Sequence, residues 1–278
     1  MGYKIIVDSC TDLTNDMRED NKISLVPLSI QIDDLTIIDN ETFNQKDFLE
    51  RVKNSPNPPK SSCPSPEAYM NLFDGEEDIY VVTLSANLSG SYNSAELAKK
   101  LYLEDNPKKN IHIFNSCSAS VGQTLIAKKI KEQVDSGKTF EEVVKIVQSF
   151  REKLSTMFVL ESLDTLRKSG RLTNLQAIIA SALNIKPVMG ATSEGTIKKL
   201  DQARGIQKAL LLMSKLIETE VKNAEERILG IAHCNNYERA LYIKDEILKR
   251  VPFKDSIIVD TNGISSMYAG DGGIIVSF

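Results

Sequence analysis

Short β-branched runs alternate with helical patterns through the first half of the chain, and this alternation does most to narrow the folds available to it. Lys4 to Asp8, Ile79 to Leu84 and Ile111 to Phe114 have the length and composition of buried strands, and each is followed by a candidate helix. Strands joined through helices run parallel, so this half implies a parallel sheet covered by helices. Thr139 and Glu142 have capping-box spacing at the start of a helix running to Leu154, while the preceding helix stops near Gly137. A boundary near Ser155 follows, and residues 1–154 form the expected α/β/α first domain.

Residues 155–278 read as a second α/β domain with a mixed sheet. Thr156 to Leu160 is a strand, followed by helical stretches around Ser162 to Ser169 and Thr173 to Leu183. Lys186 to Gly190 and Thr196 to Leu200 flank the turn-like Ser193-Glu194-Gly195, which predicts a hairpin. Strands at Ile228 to His233, Ile257 to Asp260 and Ile274 to Phe278 complete the sheet, with helices near Ile206 to Glu218 and Tyr237 to Arg250. A length of 278 residues agrees with two domains sharing a cleft.

Several function classes are set aside by composition. Lys and Arg number 34 against 38 Asp and Glu, without the clustered, aromatic-interleaved basic residues that nucleic-acid binding needs. Cys10, Cys63, Cys117 and Cys234 are widely spaced and only His112 and His233 are present, so neither a zinc site nor a disulfide framework is expected. The start of the chain runs straight into a strand pattern rather than a signal peptide, and Leu172 to Ile185 is too short to span a membrane. A cytoplasmic protein is the expectation. Gly190 to Gly195 has phosphate-loop glycine spacing, but Thr196-Ile197 follows where Lys and Ser or Thr are needed. Gly270-Asp271-Gly272-Gly273 precedes a strand instead of opening a helix. No nucleotide cofactor is therefore expected.

Four hydroxyl-rich turns stand where strands or stiff loops hand over to helices: Asp8 to Thr11, Ser61 to Ser65, Ser89 to Ser91, and Ser116 to Ser118. Singly, each is most simply a helix cap; together, at the carboxyl edge of a parallel sheet, they would make an anion site. The second of these turns lies in a stiff segment, Ser55 to Pro66, that holds five of the nine prolines; Ser65 and Pro66 then start a helix ending near Phe73. Arg171, in Ser169-Gly170-Arg171, offers a planar guanidinium suited to a carboxylate or phosphate, although a surface Arg after a helix end is the simpler reading. The apolar Leu175 to Leu183 reads as core or as the wall of an apolar tunnel. No Ser sits in a nucleophile elbow, and Asp12 reads more simply as a helix-start residue than as an acid–base partner of Asp8.

In order, these segments resemble the DegV family, which includes the fatty-acid-binding subunits of bacterial fatty acid kinase. The likeness runs from Ile5 to the last residue and rests on Val7-Asp8-Ser9, Val26-Pro27-Leu28, Lys60 to Ser65 for the family's T-S-Q-P-S loop, and Leu84 to Ala95 for its L-S-G-T-Y turn. Leu163 to Leu166, Ser169-Gly170-Arg171 and Ile185 to Val188 follow in order.

The resemblance implies a DegV-like two-domain α/β architecture that holds a long-chain fatty acid between the domains, without cofactor or catalysis of its own. A separate ATP-dependent kinase subunit would convert the presented carboxylate to an acyl phosphate, a step of phospholipid metabolism. By family position, Ser61, Ser62, Ser89, Gly90, Ser91, Ser94 and Arg171 surround the carboxylate. Tyr268 stands where the family's H-T-G-P-G begins, so a phenol that donates one hydrogen bond replaces a histidine, and Asp271 adds a negative charge expected to disfavour an ionised ligand if close. The alternative is an enzyme acting on a small anionic substrate at the same serine turns, with Cys117 or Asp8 taking part.

Overall fold

The structure, a computed structural model, describes residues 2–172 and 184–278. The strands along the chain are β1 (Tyr3–Asp8), β2 (Ile23–Val26), β3 (Ser29–Ile32), β4 (Leu35–Ile38), β5 (Lys60–Ser62), β6 (Asp78–Thr83) and β7 (Ile111–Asn115), then β8 (Thr156–Val159), β9 (Ile185–Ala191), β10 (Ile197–Arg204), β11 (Ile228–His233), β12 (Asp255–Asp260) and β13 (Ile274–Ser277). They form three sheets, with strand orders β2-β1-β6-β7, β10-β9-β8-β13-β11-β12 and β4-β3-β5.

The first sheet is wholly parallel, as the sequence predicts. Its strands are almost continuously apolar because both faces are covered. Ile5, Val7, Tyr80 and Val82 pack beneath the helices Val121–Asp135 and Phe140–Glu152, while Ile6, Ile79 and Val81 meet Ala95 and Ala98 of the helix Ser91–Asp105. The six-stranded sheet is mixed: only β11 and β12 run parallel, and the predicted hairpin is the antiparallel β9–β10 pair. One face carries Met157, Val159, Leu229 and Ile231 against the helices Ile206–Glu220 and Tyr237–Leu248. The other face looks toward the first half of the chain, where Ala232 and Ile275 meet Val121. Gly230 permits this approach, since a Cβ there would lie 2.7 Å from the Val121 side chain.

The capping box of Thr139 with Glu142 and the Ser65 cap before Pro66 both form, although the helix after Ser65 stops at Met70. Three readings are corrected. The proline-rich segment is not only a loop: Lys60–Ser62 pairs with β3 through Ile30 opposite Ser61, and the prolines bracket those three residues instead of interrupting them. β1 leads not to a full crossover helix but to the four-residue helix Asn15–Arg18, whose N-cap is Thr14. Asp12, read as a helix-start residue, is instead fully buried and accepts the Asn262 N–H at 2.6 Å. The predicted helical stretch Thr173 to Leu183, with its tunnel wall, lies outside the described residues. Among the described residues no helix is long and apolar enough to cross a membrane.

The short helix Gly263–Ala269 belongs to the second half in sequence, yet it packs against β3 and the helix Gln45–Asn54.

Candidate functional site

A narrow cavity lies between the first and second halves, with about 850 Å³ of space including its mouth. Leu28, Leu84 and Leu88 line it from the first half; Phe158, Leu160 and Leu166 face them from the second, with Ile197, Ile264 and Ile275. Strand alternation explains this wall. Met157 and Val159 point into the helical layer, so Phe158 between them points the other way.

Each of the four hydroxyl-rich turns contributes to the lining: Cys10, Ser61, Ser89, and Cys117 with Ser118. Polar groups concentrate around Tyr268. Its hydroxyl lies 2.9 Å from Ser61 Oγ, and the Arg171 guanidinium sits 5.9 Å from its ring centroid. Arg171 is itself fastened, donating from Nε to Leu88 O at 3.2 Å and from Nη1 to Ser169 O at 2.6 Å. Leu88 immediately precedes Ser89, so the guanidinium and this hydroxyl are held at one loop.

The other predicted site residues do not line the cavity. Ser62 is exposed and follows Ser61 on β5, so its side chain takes the opposite face. Gly90 lies against Cys63, whose Sγ is 3.0 Å from where a Cβ would stand, and Ser94 Oγ is 3.9 Å from the same sulfur. Ser91 is buried between Tyr69, at 2.7 Å, and Asp8, whose Oδ2 it reaches at 2.6 Å. Asp8 also accepts Leu84 N–H and Gln123 Nε2, which makes it a brace for the loop after β6. Asp271 is exposed, accepts a hydrogen bond from Asn235 at 2.9 Å and does not line the cavity.

Neither histidine lines the cavity, so a thiol or hydroxyl nucleophile there lacks an imidazole base among the described residues. The same residues hold no cluster of three or more His, Cys, Asp or Glu side chains fit to bind a metal ion.

The β9–β10 hairpin closes one side of the cavity. Ser85 Oγ donates to Gly195 O at 2.8 Å, and Asn87 Nδ2 donates to Glu194 O at 2.7 Å. Gly195 has φ +81°, and a Cβ there would stand 2.7 Å from the Cys117 Cα. Gly195→Ala is therefore expected to lower the melting temperature by about 5 °C or more, the scale of roughly 2 kcal/mol in a chain of this size. An unchanged melt would mean that the hairpin tip does not hold the cavity shut.

The family model described as uncharacterised protein, DegV family, matches residues 3–278. A DegV domain-containing protein of Streptococcus pneumoniae is 36% identical over 282 residues, covering 100% of this chain and 99% of that protein. Among solved structures, a DegV family protein of Ruminococcus gnavus refined with vaccenic acid is 50% identical, with TM-score 0.97 and coverage of 100% and 99% of the two chains. The Streptococcus pneumoniae fatty acid kinase (Fak) B3 protein loaded with linoleic acid is 34% identical, with TM-score 0.92 and the same coverages.

Proposed function

The chain belongs to the DegV family, and from that premise we propose that it binds a long-chain fatty acid in the cavity and presents the carboxylate to a separate ATP-dependent kinase. Residues 1–154 and 155–278 are the two bodies that enclose the ligand. The observation that carries this reading is the cavity itself: narrow, walled by aliphatic side chains from both halves, with Ser61, Arg171 and Tyr268 brought together in one part of it and Ser89 also on its lining. Two structural relatives are described with an eighteen-carbon type of ligand, vaccenic acid and linoleic acid, which supports the choice of substrate class.

Magnitudes divide the work. Each buried methylene contributes about 0.8 kcal/mol, so a long tail outweighs two or three charge-assisted hydrogen bonds at roughly 1.5–3 kcal/mol each. The tail supplies affinity and the polar group supplies orientation. The chain performs no chemistry in this scheme; the kinase brings ATP and transfers its γ-phosphoryl group to the presented carboxylate.

Mass spectrometry of the organic extract from natively purified protein tests the reading. A fatty acid at near-equimolar amount is expected; a folded protein that carries none and takes none up would move the assignment to a small-anion enzyme. Arg171→Ala is expected to retain its lipid while acyl phosphate formation with the partner kinase falls about tenfold or more, because misplacing the carboxylate costs orientation more than affinity. Loss of the lipid instead would reverse the division of roles.

A further inference from the structure

Asp39 and Asp12 are buried carboxylates with no part in the lining of the cavity. Asp39 is 1% exposed; its Oδ1 accepts the N–H of Gly263 at 2.7 Å and its Oδ2 that of Ile264 at 2.9 Å. Asp12 Oδ1 accepts the N–H of Asn262 at 2.6 Å, and its Oδ2 is held by the Ser120 hydroxyl. Three consecutive amides opening the helix Gly263–Ala269 are thus gripped by two carboxylates from the other half of the chain. The grip continues along the helix. Gln45 Nε2 donates to Thr261 O at 2.8 Å and to Ser266 Oγ at 3.2 Å, and Ser265 Oγ donates to Cys10 O at 3.3 Å. Gly263 fits so closely that a Cβ would stand 2.8 Å from Asp39 Cγ.

A serine or asparagine could cap such a helix without burying charge. Burial pushes Asp39 up to about 6 and Asp12 up to about 7, so keeping either ionised costs free energy. What the carboxylates add is a rigid, two-oxygen acceptor that fixes the helix in position as well as ending it. At the far end of that helix stands Tyr268, 2.9 Å from Ser61 and beside Arg171.

We infer that Asp39 and Asp12 are positioning residues for the carboxylate site, clamping the helix Gly263–Ala269 so that the Tyr268 hydroxyl is delivered beside Ser61 and Arg171. This rests on the fatty acid reading for its functional meaning, and its test has one readout with ligand and one without.

Without ligand, the ¹³C resonance of the Tyr268 ring carbon that bears the hydroxyl reports the hydrogen bond to Ser61. Asp39→Asn is expected to move that resonance to the position it takes in Ser61→Ala. With ligand, the probes are oleic acid and 1-octadecene, which keeps a long chain and lacks a head group. Asp39→Asn and Tyr268→Phe should each weaken oleic acid binding roughly fivefold to tenfold, the scale of one lost hydrogen bond. The double variant should be no weaker than either alone, and octadecene binding should change by less than about twofold. A Tyr268 resonance that stays put, additive effects on oleic acid, or equal losses for both probes would each overturn the clamp. Wild-type protein that binds neither probe would overturn the fatty acid reading, and the resonance alone would then judge the clamp. Should Asp39→Asn fail to fold, Asp12→Ala, which removes the acceptor of the adjoining Asn262 amide, is read by the same criteria.

Discussion

On the proposed fatty acid reading, Ala191→Phe is expected to abolish lipid retention while leaving the protein folded. Ala191 ends β9, is half-buried and forms part of the cavity wall. A phenyl ring there would project into existing space, where it competes with the tail. Displacing about four methylenes at roughly 0.8 kcal/mol each removes about 3 kcal/mol, a loss of more than a hundredfold in affinity. Ala95→Phe is the contrast: Ala95 is fully buried in close-packed core, so the same added ring should unfold the chain. The extract of Ala191→Phe, weighed against its thermal melt, decides the matter. Undiminished lipid in a stable variant would mean that the tail does not run along this wall.

What the sequence made legible divides along physical lines. The parallel sheet was legible because Ile5-Ile6-Val7 and Ile79 to Val82 are unbroken apolar runs, which only a doubly covered strand requires. The β3–β5 sheet was not, because its strands have four, four and three residues and β5 hides among prolines. Nor was the helix Gly263–Ala269: its clamp comes from Asp39, far away in the chain, and no local pattern announces such a partner.

The site shows the same division. A turn motif marks a stretch of chain, but side-chain direction changes residue by residue. Ser61 meets the cavity while Ser62 meets solvent; Ser89 lines it while Ser91 turns inward to Asp8. Phe158, Ile197 and Ile275 were missed as lining residues because nothing in a strand's sequence says which of its faces meets an empty space and which a helix. The signal that could have found Phe158 is the alternation Met157-Phe158-Val159, once a helical layer is assigned to one side.

Removing Asp12 and removing His112 are expected to tilt the pH dependence of stability in opposite directions. Burial raises Asp12 from the ordinary 3.8 to about 7. Between those values the native state holds a proton that the unfolded chain has lost. Asp12 therefore stabilises most below about pH 4, and its contribution declines as pH rises to about 7. His112 is the mirror case: burial, then the nearby Lys99, lowers it from 6.5 to about 4. Across that window the unfolded chain holds the extra proton, so stability rises with pH until about 6.5. At about 1.4 kcal/mol per tenfold change, the full effects approach roughly 4 kcal/mol for Asp12 and roughly 3 kcal/mol for His112. They largely cancel in the wild type from pH 4 to 6.5. In Asp12→Asn the amide can still accept from Asn262 and donate to Ser120, so its stability relative to wild type should climb by about 2–3 kcal/mol between pH 5 and pH 7.5. In His112→Phe it should fall by about 2 kcal/mol over the same interval. Urea unfolding at pH 5, 6, 7 and 7.5 measures both; an Asp12→Asn curve parallel to the wild type would show that Asp12 ionises as an ordinary carboxylate and that its burial is relieved by groups other than those that now hold it.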